Sequence, residues 1–169
     1  MSWRPDTLAE VARRTIAGER FDYPLCEFLD DFYMRLRRQE VADAQASLMN
    51  EPEALPCPIN HALLGAVGEH LALRWGLKTP AWTNDASRFL KRPHFTTPLE
   101  GFKAMLIAES PLAFRRRLIF TEAEPLRRAR FPRAACGRAL EAHELATLAC
   151  PDSSAARAHR KARLAARSA

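Results

Sequence analysis

Residues 22–36, DYPLCEFLDDFYMRL, constrain the fold more than any other stretch. Leu25, Phe28, Leu29, Phe32, Tyr33 and Leu36 recur at three- and four-residue intervals, which lines large apolar groups along one face of a helix. A strand would scatter the same residues over both faces of a sheet. A helix this one-sided must bury its stripe against other elements, so the chain is expected to fold by packing helices around it. Asp22 opens the helix, and Pro24 falls in the first turn, where its missing N–H costs nothing.

The neighbouring segments have the same period. Leu8, Val11, Ala12, Thr15 and Ile16 form a first apolar face, with Asp6 as the expected cap and Gly18 as the stop. A weaker helix covers about 38–50, and the three prolines of NEPEALPCP end it. Asn60 is expected to cap a fourth helix with Leu64, Val67, Leu71 and Trp75 inward, stopping at Gly76. Gly65 and Gly68 lie near that face and permit close approach. The segment 77–98 is rich in turn formers yet carries Trp82, Phe89 and Phe95, so it reads as an aromatic loop packed onto the helices. Thr97 and Pro98 then open a fifth helix through Phe102, Met105 and Leu106 to Ser110. No segment alternates with period two for long, and LIF at 118–120 is too short to decide. The expected fold is therefore all-α, a compact bundle of about five to seven helices. Phe28, Leu29, Phe32, Leu64, Leu71, Trp75, Trp82 and Phe114 should share one core. The helical domain covers 1–131, and residues 132–169 form a basic, weakly helical to disordered extension.

Charge is distributed unevenly. The first 60 residues carry eleven acidic and seven basic side chains, whereas residues 111–169 carry five and thirteen. An acidic head with a basic tail suits either an acidic partner or a polyanion. No run approaches the ~18 apolar residues of a membrane helix. The N-terminus shows acidic residues early and no apolar core of a secretory signal. Cys26, Cys57, Cys136 and Cys150 lack CxxC spacing, so reduced thiols in the cytoplasm are expected.

The arginine triplet in SPLAFRRRLIF sits on a short helix that Ser110 and Pro111 begin. Successive helical residues turn by ~100°, so Arg115, Arg116 and Arg117 fan apart and cannot all grip one phosphate. Phe114 and Leu118 are expected to share a face, with Arg117 bordering it. Arg117 should be buried in a structural ion pair, with Glu109, Asp30 or Asp31 as its carboxylate. Arg115 and Arg116 should point outward. With Arg127, Arg128 and Arg130 they are the candidate contacts for a partner or polyanion.

Catalytic patterns are scarce. His61 and His70 are nine residues apart, about half a turn out of phase on one helix, and cannot form a ligand pair. EAHEL at 141–145 lacks the second histidine of a zinc-protease motif. There is no Gly-rich phosphate loop, GxSxG elbow or carboxylate pair spaced for acid–base work. No cofactor, metal site or enzymatic role is expected. A helix-turn-helix over the first two helices is rejected as well, because Glu27, Asp30 and Asp31 on the outer side of the second would repel phosphates.

Three strings, GERFDYPLCEFLDDFY, EHLALRWGLKTPAWTNDASRFLKRPHF and ESPLAFRRRLIF, resemble a family of small bacterial helical proteins of antitoxin or antitoxin-associated type. Such domains stand beside nucleotidyltransferase-like toxins, or form the C-terminal halves of helix-turn-helix regulators. The likeness covers residues 18–120. It implies a cytoplasmic, non-enzymatic protein-interaction module that masks another protein, with a nucleotidyltransferase-like toxin as candidate partner and no membrane contact. Homo-oligomers are compatible with it. The alternative is a nucleic-acid-binding accessory protein using the C-terminal arginines.

Overall fold

A computed structural model describes residues 4–133, 139–141 and 144. Four helices come first: α1 (Leu8–Ile16), α2 (Asp22–Arg38), α3 (Val41–Met49) and α4 (Pro58–Arg74). Two 3-10 turns follow at Ala81–Asn84 and Ala86–Arg88, then strand β1 (His94–Phe95) and a third 3-10 turn at Glu100–Phe102. Helices α5 (Lys103–Glu109) and α6 (Leu112–Arg115) and strand β2 (Ile119–Phe120) complete the described elements. The protein is predominantly helical, and its strands form one two-residue parallel pair, His94 with Ile119 and Phe95 with Phe120.

Local chemistry sets most of the boundaries. Thr7, one residue later than expected, caps α1 by accepting the Glu10 N–H at 3.1 Å, while the Glu10 carboxylate takes the Asp6 N–H at 3.0 Å. Gly18 ends the turn with φ +107°, a conformation that disfavours any side chain. Helix α4 begins at Pro58, not at Asn60, because proline's fixed φ suits the first helical position. The fifth helix is shorter than its sequence pattern suggests. Gly101 falls where the first turn would be, and regular helix starts at Lys103.

Helix α4 is the centre of the molecule. Ten of its residues are buried, so it is covered on nearly every side. The stripe of α2 packs into the same cluster, and all eight residues expected in one core are there: Phe28, Leu29, Phe32, Leu64, Leu71, Trp75, Trp82 and Phe114. The chain beyond β2 also lies on this core. Leu126 and Phe131 are buried, and the Tyr33 hydroxyl donates to the Leu126 carbonyl at 2.8 Å. Phe131 meets the Tyr33 and Trp75 rings at centroid distances of 5.0 and 5.2 Å. Leu140 is buried too, and Glu141 pairs with Arg74. Of the weakly helical to disordered extension expected over 132–169, only 132–133, 139–141 and 144 are described, and the rest of that expectation, with Cys136 and Cys150, lies outside the described residues. Among the described residues no helix is long and apolar enough to cross a membrane.

Candidate interaction site

The arginine triplet unwinds sooner than its sequence suggests. Helix α6 ends at Arg115, and Leu118 takes a left-handed backbone with φ 57°. Leu118 therefore does not share a helical face with Phe114, and Ile119 is the residue driven into the core. The turn sends Arg117 inward to 0 % exposure. Its carboxylate is Glu69 of α4, not Glu109, Asp30 or Asp31. Arg117 also donates to the carbonyls of Ala113, at 2.7 Å, and Thr83, and its guanidinium lies 4.8 Å from the Phe89 ring centroid. Burial pulls the Arg117 pKa down, and the hydrogen bond and charge of Glu69 oppose that shift.

Arg116 is exposed, as expected, but it is tied to the fold. It donates to the other Glu69 oxygen at 2.6 Å and to the Asn84 side chain at 3.1 Å, keeping 39 % of its side chain exposed. One buried carboxylate thus holds two guanidiniums. Arg128 reaches Asp30 at 3.1 Å. Arg115 is exposed and caps the Ser110 carbonyl at 3.0 Å. Arg127 is exposed and Arg130 half-buried. The six arginines singled out in the sequence therefore divide: Arg116, Arg117 and Arg128 are tied to the fold by carboxylates, and Arg115, Arg127 and Arg130 have no such pair among the described residues.

A second buried arginine carried no sequence signal. Arg88 is 2 % exposed, donates to the Pro52 carbonyl at 2.7 Å and lies 4.7 Å from the Trp82 ring centroid. Both buried arginines press against Gly65, where an added Cβ would lie 3.0 Å from Arg117 Nε and 3.1 Å from Arg88 Cβ. At Gly68 a Cβ would come within 2.7 Å of the Trp82 ring. These glycines admit an aromatic and two guanidiniums onto α4, not another helix. Glu69 had a legible clue, since it is the sole charged side chain from Pro58 to Leu73.

His61 and Ser87 resemble a base and its nucleophile, with Nε2 3.0 Å from the hydroxyl. The wiring opposes that role. His61 Nδ1 accepts the Leu55 N–H at 3.3 Å, so the neutral ring carries its proton on Nε2 and donates to Ser87. Ser87 in turn donates to Asp85. A general base would need the Nε2 lone pair facing the hydroxyl proton. Burial and the nearby Arg88 both lower the His61 pKa, which keeps the ring neutral. His70 is half-buried against Phe114 with centroids 5.5 Å apart, and burial followed by Arg74 lowers its pKa to about 4. No group of three or more His, Cys, Asp or Glu side chains able to hold a metal occurs among the described residues.

The surface around α5 is of another kind. Leu99, Phe102, Met105, Ile107 and Leu112 are all exposed, half of the ten large apolar side chains exposed among the described residues. Phe102 and Met105, named along the expected fifth helix, are exposed, and Leu106 is the one residue that α5 buries. Seven residues cannot hold a helix by themselves. Helix α5 is anchored at its end, where Ser110 Oγ donates to the Leu106 carbonyl at 2.6 Å and accepts the Thr121 N–H at 2.7 Å. Scattered exposed apolar groups are normal, but a concentration along one stretch is what an interaction surface requires. An open groove of about 400 Å³ near Tyr23 is lined by Arg14, Glu19, Arg20 and Glu27, two cations and two carboxylates.

No family model matches the chain, and neither the curated proteins nor the solved structures contain a match.

Proposed function

We propose that this protein is a non-enzymatic protein-binding module of the antitoxin type, acting in the cytoplasm by covering another protein. The observation that supports this most is the apolar α5 stretch, where five large side chains face solvent within fourteen consecutive residues. An apolar core with a polar rim is the anatomy of a protein interface. Arg115 and Glu109 supply such a rim, since both are exposed and neither has an ion-pair partner among the described residues. The family resemblance nominates a nucleotidyltransferase-like toxin as the masked protein.

Nucleic-acid binding through the C-terminal arginines is less favoured. Arg116 and Arg128 already neutralise carboxylates of the chain itself, which removes two of the five expected contacts. Co-purification of the tagged chain from its native host, with Leu112→Asp alongside, tests the reading. A protein partner that is retained by the parent chain and lost from the variant is expected. Recovery of nucleic acid alone, released steeply by salt, would replace this reading with the alternative.

A further inference from the structure

We infer that the base of the β1–β2 pair is an anion-binding surface that receives a carboxylate-rich segment of the protein partner. This inference rests on the protein-binding reading and names the partner's chemistry. The pair is parallel, with His94 beside Ile119 and the His94 N–H donating to the Leu118 carbonyl at 2.8 Å. Parallel strands enter a sheet from the same end, so the residues that precede β1 and those that precede β2 converge there. The first set brings Arg88, Lys91 and Arg92, and the second brings Arg115, Arg116 and Arg117. Neither brings a carboxylate, since none occurs from Ala86 to Leu99 or from Ser110 to Thr121. Phe89 fixes the approach of the two sets, its ring centroid lying 5.6 Å from Arg116 Cζ and 4.8 Å from Arg117 Cζ.

Other elements supply too little negative charge to balance this end. Glu69 of α4 is a single carboxylate shared by Arg116 and Arg117, so one of the two cations stays uncompensated. Asp85 accepts the Ser87 N–H and hydroxyl, and with Glu51 it acts on the buried Arg88. Glu109, at the joint of α5 and α6 where Arg115 caps the Ser110 carbonyl, offsets no more than Arg115. Lys91 and Arg92 are exposed and have no ion pair among the described residues. Arg116 is held by Glu69, by the Asn84 side chain at 3.1 Å and by the Phe89 ring, yet keeps 39 % of its side chain exposed. A guanidinium fixed in this way meets an anion with little further loss of conformational freedom. The pair also runs on to the apolar stretch. Phe95 stacks on Phe120 with centroids 5.0 Å apart, and Lys103 Nζ of α5 lies 5.2 Å from the Phe95 centroid. A protein seated on α5 therefore reaches the cationic end across a two-residue ribbon. Glu122 and Glu124 intervene in the chain before the next arginine, so the cations do not run on as a track for a nucleic-acid backbone.

The probe is a labelled hexaglutamate peptide, followed by fluorescence anisotropy on the whole chain at low salt, with an oligothymidylate of equal charge beside it. Lys91→Glu with Arg92→Glu should weaken hexaglutamate binding about tenfold and leave the melting profile unchanged. Arg37→Glu with Arg38→Glu makes the same change in net charge on exposed residues at the end of α2, and binding should stay within about twofold. Arg116→Gln should weaken binding as well, because it removes the fixed guanidinium. Absence of hexaglutamate binding, or equal losses in the two double variants, overturns the surface. So does oligothymidylate bound more tightly than hexaglutamate through Lys91 and Arg92, which gives the site to nucleic acid. The co-purified host partner separates this inference from the reading beneath it. A partner lost on Leu112→Asp but kept on Lys91→Glu with Arg92→Glu overturns the acidic segment and leaves the protein-binding reading standing.

Discussion

Two neighbouring parts of the molecule invert the usual distribution of side chains. Around Glu69 and Arg117 charges lie inside, held by carbonyls, a carboxylate and an aromatic face, with only the Arg117 Nε lacking an acceptor. Around α5, a few residues earlier in the chain, large apolar groups lie outside. The first arrangement is costly unless complete, because a buried guanidinium without its partner loses several kcal/mol. The second is costly only while water covers it. The buried charges therefore report on the fold, and the exposed apolar stretch reports on what the fold presents to others.

The comparison breaks most visibly at Glu69. Glu69→Ala removes the carboxylate of both Arg116 and Arg117, and a loss of about 3–5 kcal/mol in urea unfolding is expected. Arg117→Ala should fall in the same range. Losses under 1 kcal/mol for both would mean that the layer is hydrated and the contrast with α5 unfounded.

Acid gives the next largest effect. The folded pKa of His70, about 4, is depressed from the ordinary value of 6.5, and that of His61 is shifted in the same direction. Between those values the unfolded chain binds protons that the folded chain refuses. Stability is then complete above pH 6.5 and lost as pH falls toward 4. For His70 the loss amounts to at most roughly 3 kcal/mol. Unfolding free energies measured from pH 7 to 4.5 should show this slope, and His70→Gln should reduce it. A pH-independent profile would contradict the burial of both rings.

Smaller changes sharpen the contrast. Gly68→Ala forces a methyl against Trp82, and about 1–3 kcal/mol of overpacking is expected in thermal melts. An unchanged melt would show that the Trp82 loop has slack. Arg116→Ala should cost about 1 kcal/mol or less, since its ion pair is partly solvated. Arg115→Ala should cost less still. If Arg115 proves as sensitive as Arg117, the turn at Leu118 is misplaced and the division among the arginines collapses.

How far the sequence led follows from the range of the forces involved. The stripe of α2 and the shared core were legible because apolar period is a local property, and burial follows from it directly. The burial of Arg117 was legible from its place beside Phe114. Its partner was not, since Glu69 lies 48 positions away and only tertiary packing brings it there. Helical phase misled at Leu118, where one left-handed residue ended the period.

Two methionines allow the most direct test. Met105 on α5 and Met49 on α3 are almost equally exposed, at 41 % and 38 %. In dilute solution peroxide should oxidise both at similar rates, because access governs the reaction. In the complex with the co-purified host partner, Met105 should slow severalfold while Met49 keeps its rate. Equal rates in the free chain and in the complex, or slowing at both sites together, would contradict the assignment of the α5 face as the surface this protein presents for binding.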